Sequence, residues 1–412
     1  MTDVTACPVN HSFDPLGDAY VEDPYPILSA VREEGPAFYA PAIDMWLISR
    51  YEDIQGALMN PKVFSAAVGQ RPVFPLTQEA QSIVKEGFHA YPVMSDCDPP
   101  RHTRIRRHNQ KGFSARRISV LEPKVWAKAT ELVDAIRPGV VDLVPALTYP
   151  LPAYMIFTFI GFPDEDMDML KSWCGNRIAF SWGKPTPAEQ RDIANNMVNY
   201  WRYCEEFVAR RAAEPVDDFT SDLIRIHRED PDSLSIPDIT NVAYGLSFAG
   251  HETTTSFTGN AVRRLLANRA QWDELCADRS LIPKAVEEVL RYDSSIPAWR
   301  RITTEAVKVG GVEIPAQAKV LLLLGAANRD PAHFEDPESF DIHREDSRKH
   351  LAFGQGIHYC IGAALARMEA RIALDLLAQR APGMRVLDDQ DFDFPANVSF
   401  RGPRRLMVDW PG

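Results

Sequence analysis

Cys360 closes the run Phe353-Gly354-Gln355-Gly356-Ile357-His358-Tyr359-Cys360-Ile361-Gly362 and directly precedes a strongly helical segment, Ala363 to Arg380. A thiolate at the start of a helix faces unpaired backbone N–H groups and the positive end of the helix dipole, and both favour the anion. Gly354 and Gly356 permit backbone conformations and close approaches that a Cβ blocks. Residues of these types in this order suit an ionised cysteine held against a flat iron cofactor.

A second constellation lies in Ala249-Gly250-His251-Glu252-Thr253-Thr254-Thr255-Ser256, inside a helical stretch from Pro237 to Ala267. Glycine and a Thr/Ser run are poor choices for a helix interior, and local rules are broken most often where function demands it. Threonine hydroxyls bonding back to preceding carbonyls distort the ladder and open a notch for a small ligand or water. The flanking Val242, Leu246, Phe248 and Phe257 argue against an exposed polar stripe. Glu288 and Arg291 are three apart in Val286-Glu287-Glu288-Val289-Leu290-Arg291 and share one helix face.

The elements that must position these residues are mostly helices. Apolar residues recur with helical period over Ser119 to Ile136, Pro187 to Arg211, Pro237 to Ala267, Pro283 to Tyr292 and Cys360 to Arg380. Strand-like pieces are short: Ala37 to Tyr39, Met45 to Ser49, Val307 to Val309, Val320 to Leu324 and Leu406 to Asp409. Val307-Lys308-Val309 and Val312-Glu313-Ile314 flank Gly310-Gly311, a hairpin signal. The expected fold class is mainly α with a minor β-sheet. No linker, repeat or low-complexity tract divides the 412 residues, so one domain over 1–412 is expected.

The longest strongly apolar stretch, Leu151 to Phe162, contains Pro152 and is too short to span a bilayer. Met1 to Asn10 lacks the regions of a signal peptide, and six cysteines without CxxC spacing describe neither a disulfide framework nor a zinc site. A soluble cytoplasmic protein is expected. Net charge −12 speaks against nucleic acid or an anionic membrane as partner. Basic residues nevertheless cluster in Arg101, Arg104, Arg106, Arg107, Lys111, Arg116 and Arg117.

The spacing F-G-x-G-x-H-x-C-x-G around Cys360 resembles the haem-binding loop of the cytochromes P450, and A-G-x-[DE]-T at Ala249 to Thr253 is similar to their oxygen-activation motif. Glu288 and Arg291 precede the cysteine loop by about seventy residues, as the family's structural E-x-x-R pair does. Ser339 stands in Pro337-Glu338-Ser339-Phe340 where an arginine is common in relatives, with Arg344 as a substitute. Asp23-Pro24-Tyr25-Pro26 and Ala327-Asn328-Arg329-Asp330-Pro331 extend the likeness over nearly the whole chain. Ala6-Cys7-Pro8-Val9, His251-Glu252-Thr253-Thr254 and Ser399-Phe400-Arg401-Gly402-Pro403 look like haem domains of self-sufficient P450s fused to a reductase. With no reductase before Gly412, the chain reads as a stand-alone relative or an excised domain.

The resemblance implies a P450 fold, haem b with Cys360 as iron ligand, and monooxygenase activity: one oxygen atom from dioxygen enters a small hydrophobic or aromatic substrate by hydroxylation or O-/N-dealkylation. Glu252 and Thr253 become the acid–alcohol pair that relays protons during oxygen activation. His102, Arg106, Arg301 and His358 match propionate-binding positions; Phe353 and Gly354 border the macrocycle. By position, Phe248, Ala249, Thr253, Ile296, Pro297, Ala298, Val398 and Phe400 wall the pocket, and Phe180 and Trp182 roof it. No FMN, FAD or Fe–S motif is present, so electrons come from a ferredoxin, flavodoxin or reductase domain, received by the basic block. The alternatives are a haem-thiolate ligand or gas sensor without turnover, against which Glu252 and Thr253 count, and a peroxide-driven oxygenase. Fatty-acid peroxygenase relatives carry Arg-Pro in place of the acid–alcohol pair.

Overall fold

A computed structural model describes residues 8–92, 94–174 and 177–411, so Ala6 and Cys7 of the amino-terminal likeness lie outside the described residues. The helical periodicities become Ala115–Asp134, Pro187–Ala213, Ile236–Ala267, Ile282–Tyr292 and Ala363–Arg380. Two start on capping boxes, Thr186 with Glu189 and Ser235 with Asp238, and both carry a proline in the first turn, where its missing N–H costs nothing. The expectation that the last helix begins at Cys360 is corrected. Residues 360–362 form a turn, and the helix begins at Ala363.

Ile236–Ala267, with 32 residues, is roughly 48 Å long and forms the spine of the molecule. It packs against Pro150–Ile160, Pro187–Ala213, Ile282–Tyr292 and Ala363–Arg380. Gly250 makes one of these crossings possible: a Cβ there would lie 2.6 Å from Ile156 Cγ1. The glycine that weakens the helix locally lets a neighbouring helix approach.

One five-stranded sheet matters for the site. Its order is Ala37–Ala40, Met45–Ile48, Lys319–Leu322, Trp299–Thr303, Phe64–Ser65, antiparallel except between Met45–Ile48 and Lys319–Leu322. The strand expected over Val320 to Leu324 stops at Leu322, because Leu324–Ala327 turns into a short helix. The Val307–Val309 and Val312–Ile314 hairpin forms as expected, with Gly310 and Gly311 at φ +53° and +90°. Three short strands, Gly139–Asp142, Met407–Trp410 and Arg385–Val386, form a separate sheet.

Glu288 and Arg291 are both fully buried, joined by a fork of two hydrogen bonds of 2.8 and 2.7 Å. Arg291 also donates to the carbonyls of Asn328, Pro337 and Ser339. Ser339 thus serves through its backbone, and Arg344 supplies the second cation, its Nε 3.4 Å from Glu288. Replacing Arg291 by alanine leaves a buried carboxylate and three carbonyls without their donor. The expected cost is about 3–5 kcal/mol, read from urea unfolding of R291A against wild type. Arg291→Lys, which keeps the charge but not the fork, is expected to lose less.

Candidate active site

The cysteine loop is closed by backbone hydrogen bonds before any side chain acts. Cys360 donates its N–H to Phe353 O at 2.9 Å, Gly354 to Leu351 O at 2.8 Å and Tyr359 to Gly356 O at 3.1 Å. Gly354 and Gly356 have φ of +65° and +69°, and a Cβ on Gly356 would meet the Leu58 carbonyl oxygen at 2.7 Å. Gly356 therefore satisfies a conformational and a steric demand together. Burial pushes the Cys360 thiol up, while the Gly362 N–H, Arg106 and Arg367 draw it down. The helix-end argument from sequence names a real contribution, but for the bare thiol burial outweighs it.

Cys360 borders a cavity of about 710 Å³, and the Ile236–Ala267 helix, unbroken where a notch is expected, lines it with Leu246, Ala249, Gly250, Thr253 and Phe257. These positions repeat at the three- and four-residue spacing of one helix face. Thr253 donates its hydroxyl to Ala249 O at 2.7 Å, the back-bond expected of a threonine in a helix. Glu252 does not line the cavity. It is nearly enclosed, with no hydrogen-bond partner for Oε1, 3.8 Å from the buried His251 Nδ1. Burial pushes Glu252 up to about 8, with Arg404 opposing, and pushes His251 down to about 3. Both are mostly neutral at pH 7.

Beside Cys360 the cavity is bordered by Arg106, Arg301 and His358, and His102, which does not itself line it, packs against His358. His102 and His358 lie 4.3 Å apart. Neither ring nitrogen of His102 has a hydrogen-bond partner; His358 Nδ1 meets the Met94 carbonyl, leaving Nε2 without one. Burial, together with Arg301 and His102, pushes His358 down to about 3. Trp299 and Arg301, two apart on one strand, turn the same face to the cavity. Among the described residues Arg301 donates only to the Arg300 carbonyl and Arg106 only to the Tyr359 carbonyl. Among the described residues no carboxylate lies within ion-pair distance of Arg106, Arg300 or Arg301. Burial lowers Arg301 to about 10 and Arg300 to about 9. Such a set requires a buried dianion, and a flat macrocycle with two carboxylates beside a cysteine sulfur fits it.

Phe180, Phe248, Ala249, Ile296, Phe353, Gly354 and Phe400 border the cavity as sequence position suggests. Trp182, Pro297, Ala298 and Val398 do not, which corrects their assignment as wall residues. Trp182 is fully buried behind the wall, stacked on Phe248 at 6.1 Å and edge-on to Phe400 at 4.7 Å. Ala298 and Val398 join the same cluster, and Pro297 turns its carbonyl to Gly325. The basic block is also smaller than it reads. Arg101 and Arg104 pair with Asp238 and Arg117 with Asp222, which leaves Arg107, Lys111 and Arg116 exposed.

Sequence reasoning missed Arg367, Glu287, Glu369 and Arg177. Arg367 lies over the Phe353 ring at 4.5 Å and is held by Glu287 at 2.6 Å. Arg367 lies four residues after Ala363, one turn into the helix that follows the cysteine loop, a signal present in the sequence. Glu369 lines the cavity with Oε2 unpartnered, and burial pushes it well up.

A family profile described as Cytochrome P450 matches residues 261–380. Cytochrome P450 107B1 of Saccharopolyspora erythraea is 37% identical over 95% of this chain and 96% of its own length. Vitamin D(3) 25-hydroxylase of Pseudonocardia autotrophica is 35% identical, covering 96% of each chain. Among solved structures, cytochrome P450 CREJ in complex with (4-ethylphenyl) dihydrogen phosphate superposes with TM-score 0.93 at 38% identity, covering 97% of this chain and 99% of its own. An intact type IV self-sufficient P450 monooxygenase superposes with TM-score 0.95 at 35% identity, covering 100% of this chain and 54% of its own. The site and the fold define a haem-thiolate enzyme. The chain belongs to the cytochrome P450 family and is a bacterial-type monooxygenase that uses haem, dioxygen and a source of electrons.

Glu252 gives a pH signature of its own. Its carboxyl holds a proton in the folded state up to about 8 and in the unfolded chain only to its ordinary value of 4.5. The folded state therefore binds the extra proton between these values, and stability falls as pH rises through that window. Glu252→Gln is expected to remove this component. The wild-type minus E252Q difference in unfolding free energy, measured from pH 4.5 to 8.5, should fall by a few kcal/mol; a flat difference refutes the assignment.

Proposed function

We propose that the chain is a single haem domain that holds haem b and oxygenates a compact apolar, aromatic molecule. The observation that carries this reading is one cavity bordered by Cys360 and by Thr253, with Phe248, Phe180, Ile296 and Phe400 as apolar wall. CREJ, in complex with (4-ethylphenyl) dihydrogen phosphate, supports a substituted benzene ring as the substrate class. Hydroxylation next to a heteroatom of such a molecule collapses to dealkylation.

Haem, when bound, supplies the iron at which dioxygen is reduced and cleaved. Cys360 Sγ is the iron ligand, and Phe353 under Arg367 shields it on the loop side. His102, Arg106, Arg301 and His358 hold the propionates, which satisfies nitrogens otherwise without anionic partners. The Thr253 hydroxyl, held on the Ala249 carbonyl, donates into the cavity when it rotates. Glu252, raised to about 8 by burial, is an acid near neutrality and resupplies that proton by swinging past its own helix. Arg107, Lys111 and Arg116 form the docking patch for an acidic ferredoxin, flavodoxin or reductase domain. Among the described residues no helix is long and apolar enough to cross a membrane, and the described cysteines are unpaired. Both suit a cytoplasmic enzyme.

The reduced, carbon monoxide-treated protein is expected to give the far-red-shifted Soret band that names the family. A band typical of a neutral ligand overturns the role of Cys360. Thr253→Ala separates the monooxygenase from a haem-thiolate sensor: electrons consumed per product should rise at least about tenfold while carbon monoxide affinity stays unchanged. Product formed with hydrogen peroxide at the electron-driven rate in wild type and T253A alike favours the peroxide-driven reading instead.

A further inference from the structure

We propose that Arg177 anchors an anionic group, a phosphate monoester or carboxylate, on the aromatic substrate of this cavity. The inference deepens the monooxygenase reading and rests on it.

The chain carries net charge −12, yet its cavity wall inverts that sign. Arg71, Lys85, Arg106, Arg177 and Arg301 border it against Asp96 and Glu369. Burial pushes the Glu369 carboxyl well above the usual carboxylate range. Arg106 and Arg301 belong to the group of nitrogens beside Cys360 that holds the propionates. Arg71 and Lys85 are exposed at the mouth. Arg177 is the half-buried cation left over.

Its surroundings are those of an unfinished anion site. The guanidinium lies 4.7 Å from the Tyr244 ring and 5.0 Å from the Phe248 ring, so two aromatic faces offset part of its desolvation. Nε is enclosed and has no hydrogen-bond partner. The guanidinium's side-chain contact is with Gln70 Oε1 at 3.5 Å, at the limit of a hydrogen bond. Among the described residues no carboxylate stands within ion-pair distance of it. Ser181, one helical turn on, also borders the cavity and adds a hydroxyl on the same face. A planar fork of donors with free valences matches phosphate or carboxylate in two-point contact.

Placement fits chemistry at the other end of the substrate. Tyr244 and Phe248 precede Thr253 on one helix by about 14 and 8 Å of axial rise. A para-substituted benzene ring with its anion on Arg177 directs the opposite substituent toward Thr253 and the Cys360 side. The anion sets the reading frame, and the apolar wall tolerates the ring.

The test uses the full haem-loaded chain, titrated with 4-ethylphenyl phosphate, 4-ethylbenzoate and 4-ethylphenol, read by the substrate-induced Soret shift and by calorimetry. The anions are expected to bind about tenfold or more tighter than the neutral phenol, with the gap narrowing as salt is raised. The tighter of the two anions names the class. Arg177→Gln should shrink the preference to about twofold, and Arg177→Lys, which keeps the charge but loses the fork, should retain only part of it. Equal binding of all three by wild type, or an undiminished preference in R177Q, overturns the anchor. Salt titration of wild type decides the matter even if R177Q fails to fold. The carbon monoxide band, recorded on each protein, reports the monooxygenase reading separately, so the two can fail independently.

Discussion

Glu287 and Glu288, adjacent on the Ile282–Tyr292 helix, face different ways, and the architecture around Cys360 hangs from that divergence. Glu288 takes the Arg291 fork and accepts the Asp341 N–H at 3.0 Å, which fixes the chain leading toward the loop. Glu287 takes both Arg367 nitrogens, at 2.6 and 2.9 Å, and His350 at 3.2 Å. Burial raises its pKa, yet these donors bring it to about 2, so it remains an anion wherever the protein is folded. Removing one partner of such a buried pair costs more than forming it gains, which makes both carboxylates points of no compromise. Through Arg367 the second one reaches Phe353 and the sulfur. A single turn of helix therefore sets the loop's backbone path and the electrostatics of its cysteine.

The site repeats this logic with one difference. Around Glu287 and Glu288 the chain completes its own charges; around the cavity it leaves them incomplete. Arg106, Arg301, His102 and His358 have backbone contacts or none, and nothing anionic. Desolvation lowers Arg301 more than the charge of Asp98 restores it, and lowers His358 together with the neighbouring Arg301. Such sets are tolerable only where a ligand's anions complete them. The contrast between closed and open charge sets distinguishes scaffold from site more sharply than burial does, since both sets are buried.

Much of this was legible in the sequence, for identifiable reasons. The turn at Gly354 and Gly356 is legible because φ above zero beside a helix start leaves a local signature, and Gly250 and Thr253 stand out as weak residues in a long helix. Residues whose partners lie far away in sequence left none. The Asp238 pairing that removes Arg101 and Arg104 from the basic block spans more than a hundred positions. By its position in the chain Trp182 is expected to roof the cavity beside Phe180, but helical geometry turns the two residues apart. Phe180 borders the cavity while Trp182 fills the layer behind Phe248 and Phe400. Periodicity fixes the face of a helix only when the helix is long. Arg177–Trp182, with six residues, is too short for its pattern to state which side is inside.

The layer behind the wall explains how an apolar cavity can be both rigid and exacting. Trp182, Phe248, Trp299 and Phe400 form an interlocked set with ring centroids 4.7 to 6.3 Å apart. Offset and edge-on contacts of this kind add to area burial and fix ring orientation. Phe248 also lies on the helix that carries Thr253, and Trp299 on the strand that carries Arg301. The aromatic set therefore ties the Thr253 hydroxyl to one of the cations beside Cys360. A substrate that packs against Phe248 and Phe400 touches side chains whose positions are already set by both ends of the site. Shape and charge are registered against each other by the same rings, and orientation of the substrate follows from packing that the fold has completed beforehand.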